Sequence, residues 1–312
     1  MARRFSAPYL SEPVSALAAW SRRLAIFALI TILVSVIVVR FGFLEYRPAV
    51  MSFGGALAIA ALSILFGLAG FASIWHSGAR GVGRIMLALL INAVILAYPA
   101  YLGWKYYRLP KIYDITTDPI DPPRFDVLVR LRGSDGANPA AYAGLYSAEQ
   151  QRKAYPEVDT IQLDIGALKA YEAALALVNK SKWLVVDARA PQAPSYEGHI
   201  EAVARTPIMG FREDVAIRVL PDGDGAQVDI RSSSRYFNSD LGSNAARIVK
   251  FAGDLTTAAN RIAQSRAANE PATPTGSTKT KAAPQKGHAA KGTAQPAKGQ
   301  KSGQPSREPA SR

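Results

Sequence analysis

DVAIRVLPDGDGAQVDIRSSSRYFNSDLGSNAARI, residues 214–248, is the stretch on which the fold turns. Val215, Ile217 and Val219 alternate with Asp214 and Arg218, and Val228 and Ile230 alternate with Asp229 and Arg231. Period-two spacing of this kind predicts two strands, each with one apolar face. The PDGDGA between them supplies Asp-Gly pairs, whose glycines accept the positive φ of a tight hairpin turn. Asp222 and Asp224 are therefore read as turn residues rather than metal ligands. The same alternation puts Ser232 and Ser234 on one face and Ser233 on the other, so the three serines cannot act as one cluster. Beyond them Leu241, Ala245, Ile248, Ala252, Leu255, Ala259 and Ile262 recur at alternating four and three, the stripe of an amphipathic helix. Ser239 is expected as its N-cap and Asp240 in its first turn, with Asn244 and Arg247 bonding back to the strand end.

Outward from this hairpin the pattern continues. KWLVVDAR (182–189) and HIEAVART (199–206) read as two more strands, the second with Ile200, Ala202 and Ala204 on one face. GALKAYEAALALVNK (166–180) reads as a helix presenting Leu168, Tyr171, Leu175 and Val178. Two helices on the apolar face of a four-stranded, mainly antiparallel sheet make a small two-layer α+β domain. The opposite face carries Glu201 and Arg205, then Asp214 and Arg218, then Asp229, Arg231 and Arg235, and is expected to be solvated. DITTDPIDPPRF (114–125) reads as a proline-stiffened connection, its aspartates serving turn chemistry.

Ahead of the domain lie three apolar runs, at about 24–44, 50–75 and 85–104, each near the 20 or so residues a membrane helix needs. The second is rich in small residues, which let helix backbones approach closely in lipid, and Asn92 in the third reads as a packing hydrogen bond. Trp75, Trp104, Tyr106 and Tyr107 fall at span ends, as interfacial aromatics do. The first run is too long for a signal-peptide core and has no cleavage site of small residues after it. The organisation expected is a cytoplasmic segment 1–23, a membrane region 24–104, a domain 105–265 and a disordered tail 266–312 rich in Lys, Ala, Pro and Gly.

Charge follows the same blocks. Residues 1–111 hold 11 Lys/Arg against 2 acids, residues 112–265 hold 17 against 20, and residues 266–312 hold 9 against 2. The basic pI thus belongs to the membrane flanks and tail, and the slightly acidic domain is not expected to bind nucleic acid. The lysines of the tail suit anionic lipid or an anionic envelope polymer, or serve solubility alone. Lys/Arg placement puts Arg3, Arg4, Arg22, Arg23, Arg80 and Arg84 on one side, and Arg40, Arg47, Lys105, Arg108 and Lys111 on the other. The N-terminal cluster favours a cytoplasmic N-terminus, which in a bacterial inner membrane places the domain in the periplasm.

There is no cysteine, and the three histidines, His76, His199 and His288, are scattered, so no metal centre and no cofactor is expected. The serines lack a G-x-S-x-G elbow. Asp187, Glu201 and Asp229 are the carboxylates that neighbouring strands could bring together for acid–base catalysis. Arg231, Arg235, Ser239 and Asn244, at a strand end beside a helix start, are the candidates for holding an anion.

ITTDPIDPPRF, EGHIEAVARTPIMGFREDVAIRV and VDIRSSSRYFNSDLGSNAARI together resemble the family known as domain of unknown function 1499, over roughly residues 112–255. The resemblance implies a small bacterial envelope or membrane-attached domain and carries no established activity. The family's arginine–serine run is usually followed by Gly-Arg before Ser-Asp-Leu-Gly, where this chain has Phe237 and Asn238, one anion donor fewer. The function expected is binding or scaffolding of an anionic ligand or envelope component, with a membrane-tethered enzyme as the alternative.

Overall fold

The computed structural model describes residues 14–43, 46–132 and 137–269; the expectations for the first 13 residues and for the tail from 270 on lie outside them. Three helices come first, α1 (Ala16–Arg40), α2 (Tyr46–Ser77) and α3 (Val82–Arg108), each long and apolar enough to cross a membrane. α1 ends at Arg40 because Gly42, at φ 82°, takes the left-handed position that closes helices, which leaves Phe41 and Phe43 exposed in the turn.

The helices pack through small residues. Ala18, Ser21, Ala25 and Ala28 of α1 are buried, as are Ala56, Ala60, Ser63, Gly67 and Gly70 of α2. Both sets recur at threes and fours, so the small stripes can lie along one seam. A methyl group on Gly70 would sit 3.0 Å from the Ala18 backbone nitrogen, so this close crossing favours glycine. Ser21 and Ser63 each donate a hydroxyl to the other's carbonyl at 2.9 and 2.8 Å, and Asn92 Nδ2 donates to Ser63 Oγ at 2.9 Å. The small residues of the second span therefore pack within the chain. Phe27, Ile30, Leu33, Leu65, Leu68 and Leu90 face outward and are exposed.

The domain then runs β1 (Asp114–Thr116), α4 (Leu128–Leu131), α5 (Leu145–Ala154), β2 (Ile161–Leu163), α6 (Ala167–Lys180), β3 (Leu184–Arg189), β4 (Gly198–Arg205), β5 (Arg212–Asp222), β6 (Gly225–Ser234) and α7 (Ser243–Asn269). The sheet order is β1-β6-β5-β4-β3, antiparallel throughout, with β2 also on the outer edge of β6. Six strands replace the four expected. β1 and β2 are three residues each, too short for alternation to register, and the prolines of DITTDPIDPPRF all follow β1.

On one face α6 and α7 cover Ile200, Ala202, Val215, Ile217, Val219, Val228 and Ile230, all buried in one core. Tyr171 and Val178 of α6 join it as expected, but Leu168 is half exposed and Ala170 and Ala174 take the buried positions. α7 begins at Ser243 rather than Ser239, because Leu241 and Gly242 take positive φ and turn the chain first. The other sheet face is not solvated. The segment between β1 and α5 folds across it, with Phe125 and Leu128 packed on Val203 and Ala216. Glu201, Asp214 and Asp229 beneath it are 0 % exposed.

Domain and bundle meet at the β4–β5 loop. Arg40 Nη1 donates to the Thr206 carbonyl at 3.2 Å. Gly210, at φ 69°, approaches so closely that a β-carbon would lie 3.3 Å from Arg40 Cα. Tyr46 of α2 stacks on Tyr236 at 4.3 Å and meets Phe211 and Phe237 edge-on.

Candidate functional site

The polar sheet face is a closed layer of ion pairs. Arg231 grips Asp114 in a fork, Nε to Oδ1 at 3.0 Å and Nη2 to Oδ2 at 2.6 Å, and its remaining donors reach the carbonyls of Pro123 and Ala140. Its guanidinium lies over the Phe125 ring at 4.5 Å. Arg235 Nε donates to Asp214 Oδ1 at 2.9 Å, while Arg132 Nε donates to the other oxygen at 2.7 Å. Arg218 Nη2 donates to Asp229 and Asp118, and its Nη1 to Asp121. Asp229 also accepts from the hydroxyls of Thr117 and Thr160 and from the Gln227 amide. Charges taken out of water persist only when paired and hydrogen-bonded, and here they are.

Glu201 is held differently. Its Oε1 accepts from the Asp126 and Val127 backbone N–H groups and its Oε2 from that of Leu128 at 2.7 Å, so a strand carboxylate closes the start of α4. Burial alone would raise its pKa; His199 and the three backbone donors outweigh it and hold the carboxyl at about 2. Asp187, opposite Glu201 in the β3–β4 register, accepts from Arg189 Nε at 2.7 Å. Asp126, His199 and Glu201 offer ligand atoms within 4.8 Å of one another. Arg189 already bonds Asp126, and the oxygens of Glu201 face N–H groups, so the cluster fits a cap better than a cation.

On the core face the strand end carries a second network. Ser234 and Ser243 hydroxyls both donate to Glu213 Oε1, at 2.9 and 2.7 Å, and Arg247 donates to Glu213 Oε2. Asn244 Oδ1 accepts from Ser232 and Arg247, and its Nδ2 donates to the Tyr113 carbonyl and to Ser234 Oγ. Asn244 and Arg247 thus bond back to the strand end as their positions in the sequence suggest. Asp240 accepts from Gly242 N and Asn244 N at the helix start, while Ser239 Oγ accepts from Leu241 N in the turn ahead of it. Its burial pushes its pKa up to about 6, those two donors offsetting only part.

This network forms one wall of a cavity of about 960 Å³ between domain and bundle. Phe53 of α2 and Tyr101 and Leu102 of α3 line one side, Trp183 and Phe251 the other, and Ser239, Asp240 and Arg247 lie at the strand end. Of the four anion-site candidates, Ser239 lines it, Asn244 supports the network behind it, and Arg231 and Arg235 lie in the ion-pair layer. The cavity is invisible to pattern reading because its walls come from segments scattered between residues 50 and 254. The one sequence trace of it is the run of aromatics ending α3.

Three membrane-length helices carrying an antiparallel α+β domain define a membrane-anchored sheet domain. Residues 114–255 match the family model described as protein of unknown function (DUF1499), a match that covers the sheet domain of this chain. A search of curated proteins found no match to it.

Proposed function

We propose that this chain is a membrane-anchored binding protein whose ligand is an amphiphile, admitted from the bilayer into the cavity between α3 and the sheet domain. The observation that carries this reading is the cavity itself. It has the size of a small-molecule site, its walls are mainly apolar and aromatic, and seven of its lining residues belong to α2 and α3, helices long enough to cross a membrane. Enzyme chemistry on Asp187, Glu201 or Asp229 has less support, because each carboxylate already bonds arginine, hydroxyl or backbone donors. The membrane is a bacterial inner membrane, with the N-terminus cytoplasmic and the domain in the periplasm, on the balance of Lys/Arg between the two ends of the bundle. The Lys-rich tail then lies on the periplasmic side, where anionic lipid or an envelope polymer is its partner. A reporter fused after residue 265 tests the orientation; activity confined to the cytoplasm reverses it.

The binding test uses the full chain with Trp20, Trp75 and Trp104 replaced by Phe, leaving Trp183 as the reporter. In bromine-labelled lysolipid micelles Trp183 fluorescence is expected to be quenched saturably, and Ala246→Phe, which fills the cavity, is expected to abolish that quenching. Quenching unchanged by Ala246→Phe overturns the reading.

A further inference from the structure

The charge lining this cavity says more than its apolar walls do. Five cations line it, Lys105, Arg205, Arg212, Arg247 and Lys250, against three carboxylates, Glu213, Asp240 and Asp254. All three carboxylates are engaged: Glu213 with Arg247, Asp254 with Lys250, and Asp240 with backbone N–H groups. Arg247 and Lys250 are thereby accounted for. Lys105, Arg205 and Arg212 are left with no carboxylate at ion-pair distance among the described residues; Lys105 meets only the Tyr101 ring, at 5.6 Å.

The two arginines sit exposed at a strand end. Arg205 and Arg212 stand directly opposite each other at the end of the β4–β5 ladder. Like charges directly opposite each other on neighbouring strands repel. Elsewhere in the domain the arginines of the sheet are matched to acids, as Arg218, Arg231 and Arg235 are. A repulsive pair that the chain leaves unneutralised, joined by a lysine from α3 across the same cavity, is complementary to an anion.

Resting on the amphiphile reading above, we propose that the ligand bears an anionic head, a phosphate or carboxylate, held by Arg205, Arg212 and Lys105. Its acyl chain lies along Phe53, Leu102, Trp183 and Phe251. Arginine forks and a lysine point charge are the donors that suit such a head, and the head then sits where an interfacial lipid headgroup would.

The experiment is equilibrium binding to the full chain in a neutral detergent, with three probes: lysophosphatidylglycerol, lysophosphatidylcholine and inorganic phosphate. The anionic lysolipid is expected to bind at least tenfold tighter than the zwitterionic one, and phosphate alone not measurably. Arg205→Gln, Arg212→Gln and Lys105→Gln should each weaken the anionic lysolipid about tenfold and leave the zwitterionic one unchanged, with Arg212→Lys retaining most of the preference. Because the arginine pair is repulsive, Arg205→Gln and Arg212→Gln should hold or raise the thermal midpoint of the unliganded chain. A midpoint that falls in both marks them as structural and overturns the assignment. Equal binding of the two lysolipids overturns the anionic head while leaving the amphiphile reading intact; binding of neither removes both. Phosphate binding as tightly as the anionic lysolipid overturns the proposal in favour of a small-anion site.

Discussion

Glu201 shows how one buried carboxylate can organise a region distant in sequence. Its charge is fully buried yet satisfied by three backbone donors and His199, so its stabilising effect is complete above the ordinary pKa of 4.5 and is lost as pH falls toward about 2. Glu201→Gln removes that charge and turns an amide donor toward backbone N–H groups. It should lower stability by roughly 2–4 kcal/mol at pH 7, with the gap from wild type narrowing below pH 4.5; chemical unfolding of the full chain in detergent, followed by far-UV circular dichroism, measures this. Asp240 has the opposite sign. Burial raises its carboxyl to about 6, with Glu213 adding to the shift and the Gly242 and Asn244 N–H groups and Arg247 opposing it, so the folded chain favours the protonated form and stability declines as pH rises through 6. The thermal midpoint should therefore gain between pH 7 and pH 5, and Asp240→Asn should lose that gain. Neither environment was legible beforehand. The donors to Glu201 lie at 126–128, across a connection whose course no local pattern encodes, and a charged face reads the same whether water or chain covers it. The split of the serines was legible, because it needs only the period of a strand.

Elements were readable in proportion to their length. The hairpin, α6, α7 and the three long helices announce themselves through many periods, whereas β1 and β2 exist because β6 offers them an edge. Helix seams were half legible: small residues in α2 promised close packing, and the structure supplies α1 as the partner. That seam makes a sharp prediction. In Gly70→Val the new β-carbon would meet the Ala18 backbone at 3.0 Å, and backbone cannot swing aside as a side-chain tip can. Overpacking of this kind costs about 1–3 kcal/mol, so the variant should unfold at a lower temperature in detergent and expose the α1 amides to hydrogen exchange first. Gly67→Ala, whose new atom would meet side chains alone, the Ser21 hydroxyl at 3.0 Å and Ile85 Cγ2 at 3.6 Å, should be milder.

At the scale of the molecule, the junction rests on a few aromatic rings and one arginine. Tyr46→Ala removes a stacked pair and two edge-on contacts, each worth about 0.5–1.5 kcal/mol. Hydrogen exchange should quicken at residues 206–211 and 236–242 while the β5–β6 ladder keeps its protection; equal loss in the ladder would mean the rings hold the domain itself together. The overall plan, apolar helices then sheet domain, was written in composition, but the cavity arises only where the two parts touch. A last consequence lies in how little chain joins them. Only residues 109–113 separate Arg108 of α3 from Asp114, where β1 already pairs with β6. That strap can reach no more than roughly 20 Å even fully stretched. The domain is moored rather than tethered: on the amphiphile reading proposed above, a ligand would be received and surrendered at the membrane surface.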